Sequence, residues 1–259
     1  MEFAYTVSGF VVGFIVGMTG VGGGSLMTPL LVLVFGVNPA TAVGTDLLYA
    51  SITKSAGVWV HSKRGNVDWK LVGWLAAGSL PAALLCVVLL RMLGIESTRV
   101  SGIITAALGV ALILTALSLL FKERLQRLAS RKATEGGSWR QRHLVAITVA
   151  TGALLGALVT LSSVGAGALG VTALLFLFPL LPAVRIVGSD IAHAVPLTAV
   201  AGLGHLSMGT VDLGLLGSLL IGSLPGIYLG SHASSRVPER FLRPALASLL
   251  VIIGGKLVL

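Results

Sequence analysis

Long apolar segments and short polar interruptions alternate over the whole length of the chain. The apolar segments run roughly over 3–18, 25–36, 40–60, 70–90 and 99–121, and then over 143–161, 167–181, 184–204, 213–231 and 240–258. Several approach the roughly 20 residues that a helix needs to cross a hydrocarbon core about 30 Å thick. The sequence lacks the alternating segments of about ten residues that are typical of membrane β-barrels. The pattern therefore predicts an all-α polytopic membrane protein.

Composition agrees with this prediction and excludes other classes of protein. Hydrophobic residues make up 55% of the 259 positions and charged residues only 10%, too little to cover the surface of a soluble domain. The net charge of +9 would suit nucleic acid, but the basic residues lie in loops between apolar segments. We therefore expect a lipid bilayer, and no nucleic acid, as the partner of this basic chain. The single cysteine, Cys86, excludes an internal disulfide.

The two halves of the chain are related by a shift of 144 residues, which carries Asp46 onto Asp190. When 43–81 is aligned without gaps to 187–225, 15 positions are identical, among them His, Asp and Pro residues. Chance matching of small apolar residues would not pair these types at one offset. We therefore expect a first repeat at 1–121, a cytoplasmic basic linker at 122–142 and a second repeat at 143–259.

The positions of Lys and Arg orient the repeats. Counting the crossings places the main basic loops, including the linker, on one side of the membrane, which the positive-inside rule makes cytoplasmic, with both termini outside. The loop His61–Asp68 then lies inside, whereas its counterpart His205–Asp212 lies outside and carries no Lys or Arg. The halves are thus predicted to be inverted-topology repeats, each a glycine-broken, re-entrant helix pair followed by three transmembrane helices.

A glycine-rich break separates the first two segments of each half. The residues at the two breaks that we predict to contact a substrate are Gly22, Gly23, Gly24 and Ser25 in the first half and Ser163, Gly165 and Gly167 in the second. A helix that begins after such a break directs free N–H groups and a positive dipole end at the gap, where an anion can bind. Duplicated broken helices are typical of transporter sites. The alternative is that the glycines only permit tight helix crossing.

An aspartate follows a glycine and a hydroxyl residue in both repeats. The two triplets are Gly44, Thr45, Asp46 and Gly188, Ser189, Asp190. A carboxylate at this depth costs roughly 2.5–3.5 kcal/mol on insertion scales, so its duplication indicates use. Two interpretations stay open: the acids bind a coupling proton, or they organise the broken helices by accepting N–H bonds. Thr45 and Ser189 are candidate polar contacts to a solute.

Two further ionisable residues break the symmetry of the repeats. Lys54 aligns with Thr198, and His193 aligns with Tyr49. Lys54 could bind an anion or pair with Asp46, or its side chain could extend toward the cytoplasmic edge of the membrane. His193 follows Asp190 by three residues, so the two share a helix face and could pass a proton, unless the histidine is a hydrogen-bonded structural residue.

The stretches from Gly20 to Lys54 and from His61 to Trp69 resemble the TauE/SafE family, also called the toluene-sulfonate uptake permeases. The glycine-rich break, the following Pro29, the run from Ala40 to Thr45 and the sequence RGNVDW from Arg64 carry the resemblance, which extends over essentially the whole chain. It implies a bacterial inner-membrane permease for sulfite, sulfonates or related anions, often an exporter. Many members have GTSL where this chain has GTDL at Gly44–Leu47, and an acid beside an anion site favours proton coupling.

These observations predict a secondary active transporter of a small organic or sulfur-containing anion such as sulfite, a sulfonate or a carboxylate. Alternating access would arise between the repeats, and Asp46, Asp190 and His193 would be the proton-coupling or site-organising residues. A small cation carrier or channel that uses the buried aspartates is the alternative, and an intramembrane enzyme is less favoured. We expect no catalytic residues, cofactor or metal. The number of subunits is open, and the chain could form a homodimer.

Overall fold

The computed structural model describes residues 2–19, 24–94, 98–135, 138–233 and 239–258. Within these ranges the chain forms α1 (Glu2–Thr19), α2 (Gly24–Leu33), α3 (Pro39–Lys63), α4 (Trp69–Leu93), α5 (Thr98–Glu135), α6 (Ser138–Ser162), α7 (Ala168–Leu177), α8 (Ala183–Ser207), α9 (Leu213–Ala233) and α10 (Glu239–Val258). Each predicted apolar segment corresponds to one of these helices, and the described ranges contain no strand. The prediction of an all-α polytopic membrane protein is confirmed.

Helix length separates the spanning helices from the broken ones. Within the described residues, five stretches are long and apolar enough to cross a membrane, namely Trp69–Leu93, Thr98–Phe121, His143–Ser162, Ala183–Ser207 and Leu213–His232. By contrast, α2 and α7 have 10 residues each. Ten residues make about 15 Å of helix, roughly half the hydrocarbon thickness. The glycine breaks of the sequence thus separate each first helix of a repeat from a short second one.

The outer surface of the bundle is apolar, as a surface in contact with lipid must be. On α4, Leu84, Leu85 and Val88 are 55%, 59% and 52% exposed, and on α9 Ile221 is 70% exposed. Large apolar side chains exposed in such number are typical of a membrane-embedded surface. The basic linker predicted at 122–142 is largely helical, because α5 continues to Glu135 and α6 begins at Ser138.

The internal repeat of the sequence reappears in the helices and in their packing. The bounds of α2 and α7, and those of α3 and α8, differ by 144 residues at both ends. The first helix of each repeat packs on the fourth helix of the other, α1 on α9 and α6 on α4. The equivalent helices α3 and α8 pack on each other, as do α5 and α10. The two repeats therefore interlock rather than lie side by side.

The central pair, α3 and α8, is antiparallel. Gly202 near the end of α8 packs on Leu48 near the start of α3, and Gly57 near the end of α3 faces Ile191 near the start of α8. Because α3 and α8 are equivalent helices of the two repeats, each packs against its own counterpart, which runs in the opposite direction. How the repeats are oriented relative to a bilayer stays a prediction.

The peripheral helix pairs approach closely at glycines. Gly9, Gly13 and Gly17 of α1 lie against the backbone of α9, and Gly222 lies against Thr6 of α1. The equivalent pair uses Gly78, which lies against Val149 of α6. Small residues let helices in a membrane approach to backbone distance, where van der Waals contact and weak hydrogen bonds hold them together.

Substitution of these glycines is therefore expected to separate the interlocked repeats. Gly222→Ala places a methyl group against the Thr6 carbonyl of α1, and we expect it to cost about 1–3 kcal/mol. Gly217→Ala on the same helix meets no atom within 4 Å and should leave the stability unchanged or raise it, because Ala favours helix. Thermal unfolding of the purified variants in detergent measures both. Equal melting temperatures for the two variants would contradict the close packing.

Candidate functional site

The α3–α8 crossing places both duplicated acids inside the bundle. Asp46 of α3 and Asp190 of α8 lie about two turns from the starts of their helices, and their exposed fractions are 0% and 1%. A buried carboxyl needs a partner or a proton, since burial without either is costly. The surroundings of the two acids differ, although the residues themselves are equivalent.

The Asp46 carboxyl is held by the short helix of its own repeat. The Thr28 hydroxyl of α2 donates to Oδ2 of Asp46 at 2.5 Å. Ser163, from the break of the other repeat, approaches the same carboxyl without reaching hydrogen-bond geometry. Oδ1 of Asp46 has no hydrogen-bond partner among the described residues. Asp46 is therefore bonded to the short helix of its own repeat, lies near the break of the second, and keeps one oxygen free.

The Asp190 carboxyl is left without such support. Both of its oxygens are buried without a hydrogen-bond partner in the described part of the chain. The carboxyl packs against Gly170 of α7, where any side chain would overlap Oδ1. Thr172, which occupies the place equivalent to Thr28, instead hydrogen-bonds Ser118 of α5. Asp190 is thus the acid of this site with the most unused hydrogen-bonding capacity.

The Lys54 side chain reaches from α3 to the break of the second repeat. Its ammonium donates to the Ala166 carbonyl at 2.7 Å, in the break before α7. Asp190 and then Asp46 are the acids whose charges act on it, although the described residues contain no ion pair between Lys54 and either acid. The predicted pairing with Asp46 is therefore electrostatic rather than a direct contact. Lys54 joins α3 of the first repeat to the unwound backbone of the second.

The second break has an irregular backbone at its predicted residues. Ser163, Gly165 and Gly167 have φ values of 56°, 128° and 138°, in the region that favours glycine. Gly167 is the N-cap residue of α7, so no side chain at that position bonds to the N–H groups of the first turn. The break thus presents a carbonyl to Lys54 and a helix N-terminus to the space beyond it, which suits an anion.

The first break is described only in part. Gly22 and Gly23 lie outside the described residues, whereas Gly24 begins α2 and Ser25 is buried in its first turn. The predicted contact of Gly22, Gly23, Gly24 and Ser25 with a substrate stays a prediction.

His193 is buried in the same region but makes no hydrogen bond to Asp190. Its Nε2 lies 2.8 Å from the Ser79 hydroxyl of α4, and its Nδ1 has no partner in the described ranges. The charge of Lys54 acts on it. At the equivalent place, Tyr49 faces Ser223 of α9. The structure therefore brings His193 to Lys54 and Ser79, and a proton path to Asp190 would need an intermediate group.

Thr45 and Ser189 connect the two repeats by reciprocal hydrogen bonds. The Asp212 amide donates to the Thr45 hydroxyl at 3.1 Å, and the Asp68 amide donates to the Ser189 hydroxyl at 2.8 Å. The glycines before them are also equivalent: Gly44 packs on the Thr210 carbonyl, and Gly188 packs on the Asn66 carbonyl. Both hydroxyl side chains are fully buried. This geometry gives them a structural task, and their predicted contact with a solute stays a prediction.

Several site residues were not identified from the sequence. They are Thr28, Tyr49, Ser79 and Ala166. A signal for two of them was present in the sequence. Thr28 and Thr172 match at the offset of 144, and Ser79 and Ser223 lie in the run GSLP, which occurs at Gly78–Pro81 and again at Gly222–Pro225. Nothing in the sequence marks Ala166, because its backbone and not its side chain takes part. The described residues contain no group of three His, Cys, Asp or Glu able to hold a metal.

An all-α bundle with an apolar surface, paired broken helices and charged groups buried at the crossing of equivalent helices is the architecture of a membrane transporter. The family model of the sulfite exporter TauE/SafE matches residues 5–257. The chain belongs to the TauE/SafE family, and the sequence resemblance is confirmed.

Curated relatives have names that agree with this class. The chain is 41% identical over 261 residues to the probable membrane transporter protein YjnA of Bacillus subtilis (strain 168), covering 100% of both chains. It is 29% identical to the probable membrane transporter protein YdhB of the same organism, covering 94% of this chain and 97% of that one. No solved structure matches the chain. The protein is thus a multi-pass membrane transporter.

The reciprocal hydrogen bonds can be separated from solute binding by substitution. Thr45→Val leaves the Asp212 amide unsatisfied, and we expect a loss of about 1–3 kcal/mol in stability with no change in the solute concentration at half-maximal transport. The control is Thr148→Val, because the Thr148 hydroxyl bonds only its own helix at Leu144. Melting temperature and transport, measured together, distinguish a structural role of Thr45 from a contact with the solute. A weaker apparent affinity at unchanged stability would make Thr45 a solute contact.

Proposed function

We propose that this protein is a secondary active transporter of a small organic or sulfur-containing anion such as sulfite, a sulfonate or a carboxylate, coupled to protons. The observation that carries the proposal is the grouping of the half-buried Lys54 with the buried acids Asp46 and Asp190 beside the break before α7. One ammonium and a helix N-terminus attract an anion, and two acids can bind protons.

The charges in this cluster require coupling if an anion binds there. With both acids ionised and His193 neutral, one ammonium and two carboxylates give a net charge of −1. An anion would be repelled from such a cluster in a medium of low dielectric constant. Protonation of both acids changes the net charge to +1, which a monovalent anion neutralises. Binding of the anion therefore draws protons onto Asp46 and Asp190, and the two species move together.

Alternating access would follow from the way the repeats interlock. The proposed site lies at the contact of α3 with α8, beside the break before α7, so each repeat contributes part of it. Rocking of one repeat against the other would expose this place first to one side and then to the other. The antiparallel contact of α3 and α8 supports this part of the proposal, since inverted repeats place equivalent helices in opposite directions.

A cation carrier or channel is the second candidate, and one observation favours it. Three of the four carboxyl oxygens of Asp46 and Asp190 are buried without a hydrogen-bond partner in the described part of the chain. Such oxygens bind cations when ionised. The ammonium of Lys54 opposes this candidate, because its charge would repel the cation.

Reconstitution in liposomes tests the proposal. A sulfonate is a suitable probe, because it stays ionised over the working pH range and any pH dependence then belongs to the protein. We expect an imposed proton gradient to drive accumulation, by about tenfold per pH unit for each coupled proton. Asp190→Asn removes one of the two coupled protons and should lower accumulation to about tenfold per pH unit, whereas the variant with both acids replaced by Asn should only exchange the probe downhill.

The matched control is Asp212→Asn, which changes an acid outside the cluster where Asn can still cap α9. It should accumulate the probe as the native protein does. Accumulation that ignores the proton gradient, or that survives substitution of both acids, would remove proton coupling. Uptake of Na⁺ or K⁺ that is lost in Asp46→Asn, with no anion flux, would establish the second candidate instead.

A further inference from the structure

We propose that the ammonium of Lys54 takes the place of a coupling metal cation at the break before α7, so that this transporter works without Na⁺ or K⁺. The inference rests on the proposed function in one respect, since it makes the cluster of Lys54, Asp46 and Asp190 part of the transport site. It adds the identity of the coupling partners: protons on the acids, and a cation that the chain itself supplies.

The Ala166 carbonyl that Lys54 contacts, and the unpaired oxygens of the acids whose charges act on Lys54, are of the kinds that bind a monovalent cation. Ala166 offers a main-chain carbonyl from an unwound segment, and such carbonyls coordinate Na⁺ in transporters with broken helices. Oδ1 of Asp46, both carboxylate oxygens of Asp190 and the Ser163 hydroxyl are buried without a hydrogen-bond partner among the described residues. All of these side chains are at most 5% exposed.

The Lys54 ammonium already supplies the positive charge for these oxygens. It lies 2.7 Å from the Ala166 carbonyl and is acted on by Asp190 and Asp46. An ammonium has three N–H donors, of which the carbonyl uses one, so two stay available to an anion or to the acids. His193 is the other titratable group of the surroundings that senses this charge. A second cation in the same place would meet direct repulsion.

The equivalent position of the other repeat explains why only one cation is supplied. Thr198 replaces Lys54 there, and its hydroxyl donates to the Ala194 carbonyl of its own helix at 2.8 Å. The uncharged Thr198 side chain therefore bonds its own helix, α8. Both repeats thus have the acid, but only the first has the lysine. Its ammonium lies at the break of the second repeat.

Removal of the ammonium should convert this place into a site for a metal cation. Lys54→Ala leaves the carbonyl and the carboxyl oxygens without a positive charge and vacates the volume of the lysine head. We expect Na⁺, compared with N-methyl-D-glucamine at equal ionic strength, to raise the melting temperature of this variant. A Na⁺ concentration ten times Kd corresponds to about 3–6 °C. The native protein should show no such shift and should transport at the same rate in both salts.

Two matched variants sharpen the test. Lys54→Arg keeps a cation and should be insensitive to Na⁺, and the double variant Lys54→Ala/Asp190→Asn loses a carboxylate and should lose most of the Na⁺ effect. A native protein that is stabilised by Na⁺ or needs it for flux would overturn the inference, as would Lys54→Ala with no response to Na⁺ or K⁺. If Lys54→Ala fails to fold in either salt, the salt dependence of the native protein decides alone.

The melting temperatures need no transported solute, so the two proposals can fail separately. Absence of anion flux together with a Na⁺ shift in Lys54→Ala would remove the proposed function and leave the cation inference intact. Proton-coupled anion flux in a native protein that also requires Na⁺ would support the proposed function and overturn the cation inference.

Discussion

Charge can be buried in this bundle because two equivalent helices, α3 and α8, cross in its centre and face each other. Each of them carries an acid that lipid would not tolerate, and each is shielded from lipid by the peripheral pairs of α1 with α9 and of α4 with α6. The crossing depends on small residues: Gly57 and Gly202 face the partner helix, and Gly44 and Gly188 receive the loop of the other repeat. Loss of this contact would expose the acids and open the site together.

The duplicated signature of glycine, hydroxyl residue and acid combines two tasks in three positions. The glycine and the hydroxyl of each triplet hold the following loop of the other repeat, through packing and through the hydrogen bonds of Thr45 and Ser189. The acid, one position further, lies inside the crossing. Neighbouring positions of a helix point about 100° apart, so a residue that anchors the loop places the next one in the interior. Structure and chemistry are thus duplicated as one unit, which explains why the repeat is preserved there in the sequence.

The length of the apolar segments was sufficient to predict the helices, because a bilayer leaves a chain few other ways to satisfy its backbone. The acids and breaks were also predictable, since charge and glycine are conspicuous among apolar residues. The contacts between the residues of the site could not be predicted from the sequence. The hydroxyl of Thr28 reaches Asp46 across 18 positions and Lys54 reaches Ala166 across 112, and such distances depend on how the repeats interlock rather than on any local pattern. A backbone carbonyl, finally, has no sequence signature at all.

The departures from symmetry at the crossing lie close to each other in space. Lys54 and His193 come from different repeats, yet the charge of one acts on the other, while their counterparts Thr198 and Tyr49 are uncharged. A two-fold arrangement with a lysine in both repeats would bring two ammonium groups toward the same two acids and leave no net need for a proton. With one lysine, the cluster holds one carboxylate more than it can neutralise. A proton can neutralise that single unmatched carboxylate, so the difference between the repeats, more than their likeness, gives the proposed site its chemistry.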